Sequence, residues 1–243
     1  MGLIRGALFI LLTIVLFLSL LFMGARLTVS MSLDYDYVKP EIKNVVNGLV
    51  LDQVGSSEIE TLVERMQFYC NTTNSTVLNQ DFQGQTLEIP CDVAYQGSDV
   101  VINYIVDDLV EENYYKDYNC EFTDCFGLEE QPFFLFSKHT KDYFHGWFYI
   151  GLVLSILLAI GLFLLSESKT SYPFIVGGIL LVASLPFLLV GKLISFFVGI
   201  EYTQIFGLFF SQAYTLFIVF IILAVVSFCI GVLLKFISVG SFI

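Results

Sequence analysis

Residues 133–165 read FFLFSKHTKDYFHGWFYIGLVLSILLAIGLFLL. From Trp147 to Leu165 this run carries no charge, and as a helix it would cross ~30 Å of hydrocarbon. The half before it holds both histidines, His139 and His145, and the single tryptophan. Its rings (Phe133, Phe134, Phe136, Tyr143, Phe144, Trp147, Phe148 and Tyr149) read as an aromatic belt, because amphipathic rings settle at headgroup level. Lys138, His139, Lys141 and Asp142 are the polar tips of that zone. The stretch therefore reads as an entry into a membrane.

The same signal recurs along the chain. Residues 7–23 and 174–191 are also free of charge, and a longer block, 204–234, begins as the interfacial stretch QIFGLFFSQAY and spans from about Thr215. Four transmembrane helices follow: one within residues 1–28, and three at about 147–165, 173–198 and 208–235 of a membrane domain covering 146–243. Composition agrees, with 56% hydrophobic and 14% charged residues against about 25% charged in soluble domains. The first run could be a cleaved signal peptide ending at Gly24-Ala25. It exceeds the usual ~7–15 apolar residues and lacks an A-x-A-like site, which favours a retained anchor.

Charge concentrates between the first and second spans. Residues 34–142 hold 21 acidic and six basic side chains, a net charge of −15. Nucleic acid and anionic lipid would be repelled, so nucleic acid is excluded as a partner. A protein partner suits this acidic domain better, and membrane lipids or a second copy of the chain complete the expected partners. Arg5, Lys169 and Lys235 flank the spans so that placing both termini in the cytoplasm satisfies the positive-inside tendency, against which Arg26 stands. Residues 29–145 then form an extracytoplasmic domain at the plasma membrane.

That domain reads as a small helical cap. Pro40 suits a first helical turn, with Ile42, Val45, Val46, Leu49 and Val50 at helical spacing. Ser57-Glu58-Ile59-Glu60 has capping-box form. A third helix is expected from Ser98, with Val101, Ile102, Ile105, Val106 and Leu109 inward and Asp107, Asp108, Glu111 and Glu112 on a solvated face. TLEIP at 86–90 reads as a short strand. An oxidising exterior favours disulfides among Cys70, Cys91, Cys120 and Cys125; proximity suggests Cys70 with Cys91 and Cys120 with Cys125. The C-x₄-C at 120–125 lacks the second ligand pair that zinc requires. Asn71 and Asn74 open glycosylation sequons. Cys229 reads as a buried apolar residue. Asp34 and Asp36 do not match a calcium loop, so no metal and no cofactor is expected. The fold class is thus an all-α membrane protein: four transmembrane helices with a mainly helical, disulfide-stapled domain between the first two.

Chemistry offers few candidates, since no G-x-S-x-G, H-E-x-x-H, P-loop or G-x-G-x-x-G occurs. His139 and Asp142, at i and i+3, could form a carboxylate-oriented base. Lys192, at the outer end of span 3 and facing Glu201, and Tyr214 could stabilise an oxyanion. Ser211, Gln212 and Tyr214 could line a polar pocket near His139. The order of span, outer domain and three spans, with His139-Thr140-Lys141-Asp142 just ahead of span 2, resembles the four-span lipoprotein intramolecular transacylases. That resemblance implies acyl transfer at the membrane interface; the family's second histidine has no counterpart after His145. The reading favoured by the whole chain is non-catalytic, an outer domain that binds a partner or supports a surface assembly. Acyl transfer is the alternative, and a channel or carrier subunit the third.

Overall fold

The computed structural model describes residues 2–43, 56–73, 76–82, 85–125, 132–197 and 207–240. Its helices are α1 (Leu3–Ser32), α2 (35–43), α3 (Ser56–Thr73), α4 (Cys91–Ala94), α5 (Ser98–Tyr115), α6 (Phe122–Cys125), α7 (Lys138–Leu165), α8 (Tyr172–Phe197) and α9 (Ala213–Gly240), with strands β1 (Val77–Phe82) and β2 (Gln85–Pro90) and a 3₁₀ turn at Pro132–Phe136. Two compact units result: Met1–Leu33 with Thr140–Ile243, and Asp34–His139. The expected positions Val45, Val46, Leu49 and Val50, with Asn74 and Glu201, lie outside the described residues.

Four segments are long and apolar enough to cross a membrane: Ile4–Ser32, Lys138–Leu165, Tyr172–Lys192 and Gly207–Ile237, and all but Lys138 and His139 of them belong to the first unit. Their surfaces agree with that use. Leu157 is 60% exposed and Leu164 65%, and an apolar surface of this extent is unfavourable in water. What they bury is a narrower core of Leu16, Leu20, Met23, Leu162, Ala183, Phe187, Leu216, Phe220 and Ala224.

Small residues bring the helices close. A Cβ on Gly24 would meet the Phe187 ring at 2.6 Å, and one on Gly231 would meet Phe174 at 2.7 Å. Gly177 packs on Phe228, and Ala183 is fully buried, whereas Gly178 faces open space. Hydroxyls tie the turns. Ser227 donates to the Pro173 carbonyl at 2.7 Å, and Tyr172 to Ala159 at 2.7 Å. At the N-terminal end of α1, Arg5 donates to the Leu165 carbonyl at 3.0 Å, and Lys169 donates to Phe163 at 2.6 Å. Cys229 is exposed on α9, not buried as its sequence suggested. Its position falls on the lipid-directed flank, where a thiol behaves as a small apolar group.

The second unit adds a β-hairpin to an otherwise helical cap. TLEIP lies within β2, which pairs antiparallel with β1 so that Leu78 faces Ile89 and Val77 faces Pro90. Such a two-stranded ribbon is marginal alone; here Ile89, fully buried, packs with Val63, Leu78, Ala94 and Val101. Disulfides join Cys70 to Cys91 across 5.9 Å between Cα atoms and Cys120 to Cys125 across 5.6 Å. The first fastens α3 to the end of the hairpin. The second packs under Tyr118 and Phe134.

Loop entropy ranks the two bridges. The Cys70–Cys91 loop separates 21 residues and the other five. Chain-closure estimates assign them about 3 and about 2 kcal/mol respectively. Cys70→Ser/Cys91→Ser should therefore make the outer unit more sensitive to pulse proteolysis in urea than Cys120→Ser/Cys125→Ser. The reverse order would show that native packing, not loop closure, sets the difference.

Candidate functional site

Among the described residues, half of the buried hydroxyls of the membrane unit lie on α1 and the rest, Thr140, Ser155, Ser166 and Ser184, lie elsewhere in it. The four of α1 are Ser19, Thr28, Ser30 and Ser32, and each is satisfied. Ser19 shares a 2.9 Å hydrogen bond with Ser155 of α7. Thr28 donates back to Gly24 at 2.9 Å. Ser30 Oγ lies 3.2 Å from His145 Nδ1, and His145 Nε2 lies 3.1 Å from the Tyr149 hydroxyl. Ser32 Oγ accepts the backbone N–H of Gln212 at 3.1 Å. In hydrocarbon these contacts replace water that the groups cannot reach. The Ser30–His145 pair resembles a nucleophile and its base, yet Ser30 is 2% exposed and both ring nitrogens of His145 are already engaged. It is a helix clamp.

His145 also stacks edge-on with Tyr149 at 4.9 Å, and Arg26 sits over the Trp147 ring at 4.7 Å. The aromatic belt thus has a cation on it that hydropathy alone could not place. Spacing along the chain pointed to His139, whereas His145 is the histidine bonded within the membrane unit. The cue was the buried-hydroxyl pattern Thr28, Ser30, Ser32 at one end of span 1.

His139 belongs to the outer unit, while Asp142, Lys192 and Tyr214 belong to the membrane unit. The His139 ring packs near Phe134 at 5.7 Å and Tyr118 at 6.3 Å. Neither of its nitrogens has a hydrogen-bond partner among the described residues. Asp142 is exposed at the start of α7. Tyr214 is 61% exposed and stacks on Phe217, and Gln212 uses its side chain to accept from Thr215 at 3.0 Å.

In the outer unit the acidic face of α5 is put to use. Asp107 lies 2.7 Å from Lys43 and 3.2 Å from Lys39, so it is paired with α2 and is not simply solvated. Tyr35 donates to Glu111 at 3.1 Å and its ring meets Tyr114 and Tyr115. The α5 positions Val101, Val106, Val110 and Tyr114 are buried. Asp34 serves as a helix start, its carbonyl accepting the N–H groups of Tyr37 and Val38. Among the described residues no three His, Cys, Asp or Glu side chains gather as metal ligands. In α3, Asn71 accepts from Tyr95 at 2.9 Å, and the Phe68 and Tyr69 rings of the same helix are exposed.

No protein-family model, curated protein or solved structure matches the chain.

The Asp107 pair has a defined pH signature. Burial raises the carboxyl, but hydrogen bonds and charge from Lys43 and Lys39 outweigh it and hold the group below its ordinary range. Its stabilisation is complete above the unfolded value near 3.9 and is lost as pH falls through the lower folded value. Lys39 is opposed by burial and raised by Tyr35 and Asp107, so its share persists below about pH 10 and fades above. Asp107→Asn should flatten the acid limb of outer-unit stability below about pH 4 while leaving the limb above it parallel to wild type, as read by melting temperature against pH. An unchanged acid limb would exclude this pair as its source.

Proposed function

We propose that the protein is a non-catalytic, multi-pass plasma-membrane protein with both termini in the cytoplasm, whose outer unit, residues 34–139, lies outside the cell and docks a protein partner. One observation carries this reading. On the disulfide-stapled scaffold, Phe68 is 71% exposed, Tyr69 55% and Tyr95 50%, and Phe68 shares an α3 face with Asn71, to which Tyr95 bonds. Exposed aromatic groups on a small acidic domain suit a protein interface, where rings supply the anchors. The net charge of −15 across 34–142 favours a partner with a basic rim.

Two disulfides and the sequons at Asn71 and Asn74 support the outside placement. Arg5 and Lys169 both sit where α1 begins and α7 ends, in keeping with a cytoplasmic face. A glycan on Asn71 would border the aromatic face and restrict its partner. Acyl transfer receives less support, because among the described residues His139 is packed against rings and donates no hydrogen bond to a carboxylate. A channel or carrier would need further copies to supply a polar lining, since the spans expose apolar side chains.

The test is affinity purification of the full chain from native membranes with protein and lipid identification. Phe68→Glu/Tyr69→Glu should release the bound protein by at least about tenfold, the loss expected for a central aromatic anchor. His139→Ala should retain it and leave the acylation of co-purified material unchanged. Loss of an acyl product in His139→Ala, with the partner still bound, would instead favour the transferase.

A further inference from the structure

Arg26 lies inside the first membrane segment, Ile4–Ser32, six positions before its end. Among the described residues the group that engages its guanidinium is the Trp147 ring, 4.7 Å away. That contact accepts no hydrogen bond in the plane of the cation, and among the described residues its five N–H donors meet no protein acceptor. An ionised side chain in a span needs a partner that can be named. At headgroup depth the anionic acceptor at hand is a lipid phosphate, whose oxygens match the fork of a guanidinium.

A second feature begins at the neighbouring residue of α1, Ala25. Leu18, Leu21, Phe22 and Ala25 follow at helical spacing and form one wall of a groove of about 350 Å³. Pro186, Phe187 and Val190 of α8 form the other wall, and Phe210 completes it. All eight side chains are apolar, so the groove offers water no hydrogen bond. Ala25 adjoins Arg26, and Phe22 is one helical turn, about 5.4 Å, below it. A phosphate on Arg26 and methylenes beginning beside Ala25 and Phe22 reproduce the order of groups in a glycerophospholipid.

We propose that Arg26 and the α1–α8 groove form a binding site for one glycerophospholipid, with its phosphate on the guanidinium and one acyl chain along Leu18, Phe22, Pro186 and Val190. The site is independent of the outer unit's partner and does not rest on it. Trp147 orients the guanidinium from one face, leaving its edge for the phosphate. Ala25 is the narrow point of the wall, where a larger side chain would occupy the space of the lipid chain.

The full chain, reconstituted with phosphatidylcholine and phosphatidylglycerol and released into mild detergent, is weighed intact by native mass spectrometry. Wild type should keep one phospholipid after bulk lipid has been stripped. Arg26→Gln should lower the retained fraction at least about tenfold, the effect of one charge-assisted hydrogen bond. Ala25→Trp and Val190→Trp fill the groove from opposite walls, so a folding defect in one leaves the other informative. Circular dichroism and thermal unfolding identify the folded variants. Equal retention in folded Arg26→Gln and in a folded groove variant, or no lipid on wild type, overturns the proposal.

Discussion

Peptide groups that enter hydrocarbon must find their hydrogen-bond partners within the protein, because no water is there to supply them. Helices meet that demand internally, which is why four long apolar segments become α1, α7, α8 and α9. The same solvent then withholds the usual force for bringing helices together, since a leucine is as comfortable against a lipid tail as against another leucine. Association has to come from close packing and from polar groups that lipid cannot satisfy. Gly24 against Phe187 and Gly231 against Phe174 provide the first. Ser19–Ser155, Ser30–His145 and Ser32–Gln212 provide the second. Helix α1 is thereby joined both to α7 and to the start of α9 by bonds that would be weak in water.

The outer unit is held by other means. A domain of this size builds a modest core, and its acidic side chains repel one another. Cys70–Cys91 closes the end of the hairpin, Cys120–Cys125 underlies Tyr118 and Phe134, and Lys39 and Lys43 offset part of the α5 charge through Asp107. Asp107 carries both lysines at some cost in burial, which the two cations repay. Among the described residues Glu111 is the other α5 acid bonded to α2, through Tyr35, while Asp99, Glu112 and Glu121 are exposed. That asymmetry gives the unit one quiet face at α2–α5 and one aromatic face at α3–α4.

How far the chain was legible follows from the range of the interactions. Spans, the helix from Ser98 and the strand over TLEIP depend on neighbours a few residues away, and local pattern was enough. The strand Val77–Phe82 was missed because VLNQDF has little of the alternation or β-branching that marks a strand; its pairing is imposed by β2 and by the nearby bridge. Asp107 was misjudged because its partners are 64 and 68 positions back, at Lys43 and Lys39. His145 was passed over for the same reason, Ser30 being 115 residues away. A His-x-x-Asp spacing on one helix suggested His139 instead, but spacing places side chains on a face without saying what else occupies it. Here rings do.

Three of the cations of the membrane unit, Arg5, Lys169 and Arg26, show why position decides what an arginine or lysine can do. Arg5 and Lys169 both reach carbonyls in the last turn of α7, at Leu165 and Phe163, where a helix leaves acceptors unused and its dipole favours positive charge. Arg26 is in the interior of α1, where each neighbouring carbonyl already receives an N–H from the next turn. The side chain must look outward, and Trp147 can neutralise part of its field without accepting a hydrogen bond. Among the described residues no acceptor meets the remaining donors. The phosphate of the proposed lipid would supply that acceptor, and the Trp147 ring leaves room for it by engaging the cation without accepting a hydrogen bond.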